Sequence, residues 1–180
     1  GLGRTVESMT DDELRTYLDK SGNIAKVSKD PLAPIFYCFN AGNYLTLKGQ
    51  YKGAETSYKE GMKLCEKQFG TTHFYYTILL SGLAVLYRLE ARYSDAEKTM
   101  REVVELRTKT FFAEHPETVR AQIILATVLC EEGKYAEAKT LVEKSMKALQ
   151  GQFGDEDSLF TARARQCLGN IERQDGHYNE

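Results

Sequence analysis

From about residue 31 onward, apolar residues recur at spacings of three and four, with polar positions filling the gaps in the same rhythm. This is the period of a helix with one buried face, not the alternation of a strand. Before Tyr93 the run reads Leu79-Leu80, Leu83-Ala84, Leu86-Tyr87; after it come Ala96, Met100 and Val103-Val104. The pattern predicts a helix on each side of the tyrosine. The arrangement then repeats, because Tyr51, Tyr93 and Tyr135 stand 42 residues apart, each followed three residues later by Ala54, Ala96 or Ala138. Gly42, Ala84 and Ala126 precede each tyrosine by nine residues, and Phe69, Phe111 and Phe153 keep the same register, as do His73, His115 and Asp157. A further copy opens with Gly169 and Tyr178 and carries one extra residue before Leu168.

Breaks between the helices fall where the backbone chemistry wants them. Gly49, Gly133 and Gly176 lie two residues before their tyrosines, and Gly70 and Gly154 follow the second helices. A left-handed helix stop needs no Cβ. Pro116 sits where a following helix starts, a position at which its missing N–H had no partner. The second unit departs from this scheme, with Ala91 and Phe112 where its neighbours have glycine. Each unit is therefore expected to be a helix hairpin. Small residues at Gly42, Ala84, Ala126 and Gly169, and at Ala54, Ala96 and Ala138, leave room for a facing bulky side chain. A single hairpin cannot cover its own apolar face, so neighbours must stack.

A small residue, an aromatic nine residues on and an alanine three later form a pattern that resembles the tetratricopeptide repeat (TPR). The segments Leu83-Ala84-Val85-Leu86-Tyr87, Tyr93-Ser94-Asp95-Ala96-Glu97 and Glu114-His115-Pro116 look like the 42-residue variety found in kinesin light chains and related scaffolds. The ordinary repeat of the family runs about 34 residues. The resemblance covers residues 31–180 and implies an all-α fold, a right-handed superhelical solenoid of antiparallel helix hairpins. The expected organisation is an N-terminal segment, 1–30, with one short helix, then an array, 31–180, of three full repeats and the start of a fourth. In the N-terminal segment, Thr10 and Glu13 have capping-box spacing before Leu14, Tyr17 and Leu18, predicting a helix over 11–20 that Ser21-Gly22-Asn23 ends. That helix either caps the first hairpin or is the remnant of an earlier repeat. Because Gly176 to Glu180 opens a helix that is not completed, the natural chain is expected to continue.

Composition narrows the function. With 42% hydrophobic and 28% charged residues and a net charge of −2, the chain is neither a disordered acidic tail nor a strongly basic nucleic-acid binder. The most apolar stretch, Phe74 to Tyr87, is interrupted by Thr77, Ser81 and Gly82 and falls short of the roughly 20 residues that span a bilayer. Cys38, Cys65, Cys130 and Cys167 are far apart in sequence and form no CxxC pair, so they are read as reduced core or groove residues in a cytoplasmic protein.

Catalytic and cofactor chemistry finds no foothold. Gly1-Leu2-Gly3 lacks the third glycine and the preceding strand of a dinucleotide loop. His73 and His115 recur one repeat apart, about 10 Å for stacked helices, too far for one ion to bind both; a structural role at the start of the next helix explains them better. Asp155-Glu156-Asp157 sits at a helix start, where the macrodipole favours acids. The expectation is no enzyme activity, no metal and no cofactor.

What remains is a surface. The resemblance implies that the first helices of the hairpins line a concave groove, whose exposed positions fall on one helix face. Phe36, Phe39, Asn40 and Asn43 occupy them in the first unit, Ile78, Gly82, Val85 and Arg88 in the second, Arg120, Ile123 and Thr127 in the third, and Asn170 and Arg173 in the fourth. Arg163 also falls there, though the extra residue makes its register the least secure. Phenyl and aliphatic groups suit apolar peptide side chains, asparagines suit peptide amides, and arginines suit carboxylates. The expected partner is a protein or peptide segment, apolar and somewhat acidic, with self-association a further option; neither nucleic acid nor membrane insertion is expected. Some TPR domains grip a chaperone's C-terminal carboxylate, but of the matching residues Phe36, Asn40, Gly82, Arg120 and Ile124 only Asn40 and Arg120 suit that role. Two other roles stay open: a structural or assembly solenoid, and the repeat region of a multidomain regulatory protein.

Overall fold

The computed structural model describes residues 10–153 and 159–174, and among these every regular element is an α-helix. In chain order they are α1 (Asp11–Val27), α2 (Leu32–Leu47), α3 (Tyr51–Phe69), α4 (Phe74–Leu89), α5 (Tyr93–Thr110), α6 (Pro116–Glu131), α7 (Tyr135–Phe153) and α8 (Leu159–Gln174). The marker tyrosines are the first residues of α3, α5 and α7. Leu32, Phe74 and Pro116 open α2, α4 and α6 at the 42-residue period, whereas α8 opens 43 residues after α6. The extra residue therefore precedes α8, and Arg163 is in true register with Arg120. Gly154, Asp157 and Gly176 lie outside the described residues, and Phe153 is described for its backbone alone.

The chain divides into two compact units, Gly1–Leu86 and Tyr87–Glu180. In the first, the core is drawn from Ile35, Cys38 and Ala41 on α2, Ala54, Tyr58 and Cys65 on α3, and Leu79, Leu80 and Leu83 on α4. The second buries Met100 and Val103 on α5, Val119, Leu125 and Leu129 on α6, Val142 on α7 and Ile171 on α8. Ala54, Ala84, Ala96, Ala126 and Ala138 are all fully enclosed, as the small-residue columns require. Gly169 differs, since a Cβ added there would meet nothing within 4 Å.

Identical turns join the halves of the first three hairpins. The amides of Gln50, Arg92 and Lys134 each donate to the carbonyl five residues back, on Leu45, Tyr87 and Leu129, all at 2.8 Å. This closure places the preceding residue in the left-handed region. Gly49 (φ 70°) and Gly133 (φ 87°) adopt it freely, but Ala91 is forced to φ 57°. The left-handed region costs an L-residue about 1–2 kcal/mol, part of which glycine returns through its freer unfolded state. Ala91→Gly is expected to raise unfolding stability by about 1 kcal/mol, and Gly133→Ala to lower it by a similar amount. Urea denaturation of the pair checks this; a destabilised Ala91→Gly variant would contradict it.

The phenylalanine and histidine columns form the joints between hairpins. His115 is the N-cap of α6: its Nδ1 accepts from the Glu117 amide at 3.2 Å while its ring stacks on Phe111 at 4.4 Å. His73 repeats the arrangement, accepting from the Tyr75 amide at 3.3 Å and stacking on Phe69 at 4.6 Å. An acceptor replaces the missing intrahelical partner of a first-turn amide, which explains why histidine recurs here.

α1 corrects the expectation of a helix ending at Lys20, for it runs to Val27. Thr10 and Glu13 do form the capping box. Ser21 turns its hydroxyl back onto the Leu18 carbonyl at 2.8 Å, and Gly22 lets α2 approach so closely that a Cβ would come within 3.0 Å of the Tyr37 ring. Packing against α2 thus carries the helix through residues that would otherwise break it. Val27 ends α1 42 residues before Phe69 ends α3, so α1 occupies the register of a second helix.

An ionic network braces the second unit. Glu97 on α5 accepts from Lys134 at 2.6 Å and from Arg101 at 2.7 Å, and Arg101 reaches Glu137 on α7 at 2.6 Å. Burial alone would raise the Glu97 carboxyl, but the hydrogen bonds from Lys134 and Arg101 outweigh it and hold the group at about 2, from a starting value of 4.5. A depressed carboxyl stabilises the fold above its unfolded value and ceases to do so as pH falls through its folded value. The loss therefore belongs to the window from about pH 4.5 down to about pH 2. Discounted for the exposure of both basic partners, it amounts to about 1–2 kcal/mol. Glu97→Gln should flatten the pH dependence of unfolding across that window, as measured by urea denaturation at stepped pH; an unaltered profile would place the stabilisation elsewhere.

Candidate functional site

In the first unit the expected surface begins on α2. Phe36 is 37% exposed and meets Tyr75 of α4 edge-to-face at 6.4 Å, while Phe39 is half-buried. Asn40, beside them, is only 8% exposed, and its amide nitrogen has no hydrogen-bond partner among the described residues. An unpartnered donor in that position costs about 1–3 kcal/mol. Asn43 is committed differently from the expectation, because its Oδ1 accepts the Tyr58 hydroxyl at 2.8 Å. Gly82, another expected surface position, is the hole into which the Tyr58 ring fits. Ile78 and Val85 on α4 are half-buried.

The second unit holds the charged part. Arg88 pairs with Glu131 at 2.7 Å, so its guanidinium is already occupied by a carboxylate of the same chain. Arg120 is bound by Glu117 of its own helix, and Arg107 of α5 reaches the same carboxylate at 3.5 Å and the Glu117 carbonyl at 2.8 Å. A peptide carboxylate must therefore compete with internal acids at Arg88 and Arg120. Ile123 is fully enclosed and belongs to the core, a correction to its expected place on the surface. Thr127 turns its hydroxyl onto the Ile123 carbonyl at 3.0 Å, and Asn170 accepts from the exposed Arg173 at 3.4 Å.

Tyr75, Arg107, Glu117 and Phe160 shape these surfaces although the repeat register does not single them out. Only Glu117 left a signal, three residues ahead of Arg120 on one helix face. The cysteines are free and buried. Burial pushes the Cys38 thiol to about 11 and that of Cys167 to about 12, which keeps both protonated and unreactive. Among the described residues no group of three or more His, Cys, Asp and Glu side chains could hold a metal ion, and no helix is long and apolar enough to cross a membrane.

Comparison with known proteins identifies the family. The sequence model of the tetratricopeptide repeat matches residues 33–109 and again 75–150. The chain belongs to the tetratricopeptide repeat family. TPR proteins of this kind are generally protein–protein interaction modules and typically non-enzymatic. Tetratricopeptide repeat protein 19, mitochondrial, is 22% identical in Mus musculus and 24% in Rattus norvegicus, each over 135 residues. That alignment takes in 75% of this chain but only 35% of the length of those relatives. Among solved structures, BtubC (BKLC) from P. vanneervenii superposes with a TM-score of 0.75 at 16% identity, covering 97% of this chain and 68% of that one. A putative kinesin light chain from Podosopora anserina with nearly identical TPR-like repeats gives 0.69 at 17% identity, over 93% of this chain and 82% of that one. The fold class is thus the all-α TPR solenoid of antiparallel hairpins, with kinesin-light-chain-like repeats.

Proposed function

We propose that this TPR chain binds an apolar, somewhat acidic segment of another protein on the face formed by the first helices of its hairpins. The observation that carries this reading is on α2, where the exposed ring of Phe36 stands near Asn40, whose amide nitrogen lacks a partner. An apolar side chain laid on Phe36 and Phe39 would bring a peptide carbonyl towards that donor, and a small rotation of the Asn40 amide would complete the bond. Within the first unit Ile78 and Val85 add apolar surface, and within the second Arg88, Arg120, Thr127, Asn170 and Arg173 offer polar contacts to the same kind of segment. Selection of phage-displayed random peptides on the intact chain tests the reading. Apolar-rich peptides should be enriched, and Phe36→Ala with Phe39→Ala should remove their binding while circular dichroism stays unchanged. Enrichment no better than background, or binding indifferent to both substitutions, would overturn it.

A second reading, a scaffold that assembles partners or copies of itself, is favoured by Val27, 83% exposed at the end of α1. A concentration-dependent mass in light scattering, abolished by Val27→Asp, would support it. The greater length of the curated relatives is in keeping with a repeat region inside a larger regulatory protein. Four buried, protonated thiols suit a reducing compartment. A cytoplasmic location fits that and is tested by imaging a tagged full-length protein, against the mitochondrial location that the names of the relatives carry.

A further inference from the structure

The third and fourth units carry an arginine at the same register, Arg120 on α6 and Arg163 on α8. Three residues ahead stand Glu117 in one and Phe160 in the other. That replacement of a carboxylate by a phenyl ring changes the local balance of charge. Glu117 holds Arg120 and is approached by Arg107. Arg163 has a ring instead: its guanidinium carbon lies 5.9 Å from the Phe160 centroid, and that of Arg120 lies 5.2 Å from the same centroid. No carboxylate among the described residues pairs with Arg163. The guanidinium groups of Arg120 and Arg163 therefore share the Phe160 ring, and Arg120 shares the Glu117 carboxylate with Arg107.

A guanidinium over an aromatic face interacts through its own face and keeps its in-plane N–H groups for a forked acceptor. It is also partly stripped of water on the ring side, so a carboxylate gains more from it than from a fully hydrated lysine. Arg107 adds to the positive potential from behind, buried where solvent screens it little. Burial presses down on the Arg107 guanidinium, the Glu117 carboxylate opposes this and Arg120 adds a smaller push, and the group still stays protonated.

We propose that Arg120 and Arg163, gathered about the Phe160 ring, form a subsite for one acidic side chain of a bound protein segment. The subsite rests on the peptide-binding reading above and assigns its acidic preference to α6 and α8, leaving Arg88 in its pair with Glu131. The same phage-displayed random peptides serve as probe, followed by fluorescence titration of the best peptide and of its version with the acidic residue replaced by the corresponding amide. With the wild-type chain, one peptide position should be enriched in Asp or Glu. Arg163→Gln should weaken the acidic peptide by about tenfold to a hundredfold, the range for a hydrogen bond to a charged group, and leave the amide version unaffected. Lys147→Gln, which removes a charge from the exposed side of α7, should change neither. Peptides that bind with no acidic enrichment, or an acidic peptide equally weakened by Arg163→Gln and Lys147→Gln, would overturn the subsite alone. Failure to select any peptide would overturn the subsite together with the reading beneath it.

Discussion

Tyr58→Ala is expected to lower unfolding stability by about 3–5 kcal/mol, the usual loss for a large buried aromatic. The ring is 1% exposed and sits in a socket made by two glycines, Gly42 on α2 and Gly82 on α4. A Cβ at Gly42 would come within 2.5 Å of its Cε1, and one at Gly82 within 2.6 Å. The hydroxyl is satisfied too, donating to Asn43 at 2.8 Å beside Thr46. Truncation therefore leaves a cavity and an acceptor without its donor at once. Met100 and Val142 stand at the register of Tyr58 in the next two units, and there the Gly42 position is taken by Ala84 and Ala126. The largest side chain is matched by glycine, the smaller ones by alanine. Gly82→Ala should then cost about 1–3 kcal/mol beside Tyr58, but close to nothing in a Tyr58→Met background, where alanine's better helix propensity offsets the residual crowding. A double-mutant cycle by urea denaturation reads the difference. Strict additivity of the two substitutions would mean that the ring and Gly82 do not contend for the same space.

That socket shows what the repeat register can and cannot convey. Period, helix boundaries and the small-residue columns are local properties, so the starts of α3, α5 and α7 at their tyrosines, and the histidine joints, could be read directly from spacing. Local propensity ends α1 early because Ser21 and Gly22 are breakers, while their tolerance depends on Tyr37 packing from another helix. The surface was harder still. A helix face specifies which residues point one way, not which of them a neighbour then covers. Ile123 is enclosed, and Gly82 and Asn43 are both taken by Tyr58 of another helix. Arginines suffer similarly: residue type marks Arg88 and Arg163 alike, but only the first has Glu131 within reach.

Arg107 yields the second large effect and separates stability from function. Arg107→Ala should destabilise the protein by about 2–4 kcal/mol, somewhat under the loss typical of breaking a buried ion pair because Arg120 still compensates Glu117. Its side chain is 5% exposed, so truncation opens a void as well as removing the bond to the Glu117 carbonyl. Yet the neighbouring units place Cys65 and Leu149 at the same register, both buried. The fold therefore accommodates an apolar residue there, and Arg107→Leu should remain within about 1 kcal/mol of the wild type, since exchanging a buried charge for a packed hydrophobe is often neutral. If it does, the guanidinium is not retained for packing. The guanidinium also acts electrostatically: a charge held in a weakly screened site raises the potential at Arg120 and Arg163 and strengthens their hold on an incoming carboxylate. Arg107→Leu should then weaken an acidic peptide severalfold at almost unchanged stability, measured by titration and urea denaturation on the same protein. Loss of stability equal to that of Arg107→Ala would instead assign the residue to the core and remove its share in recognition.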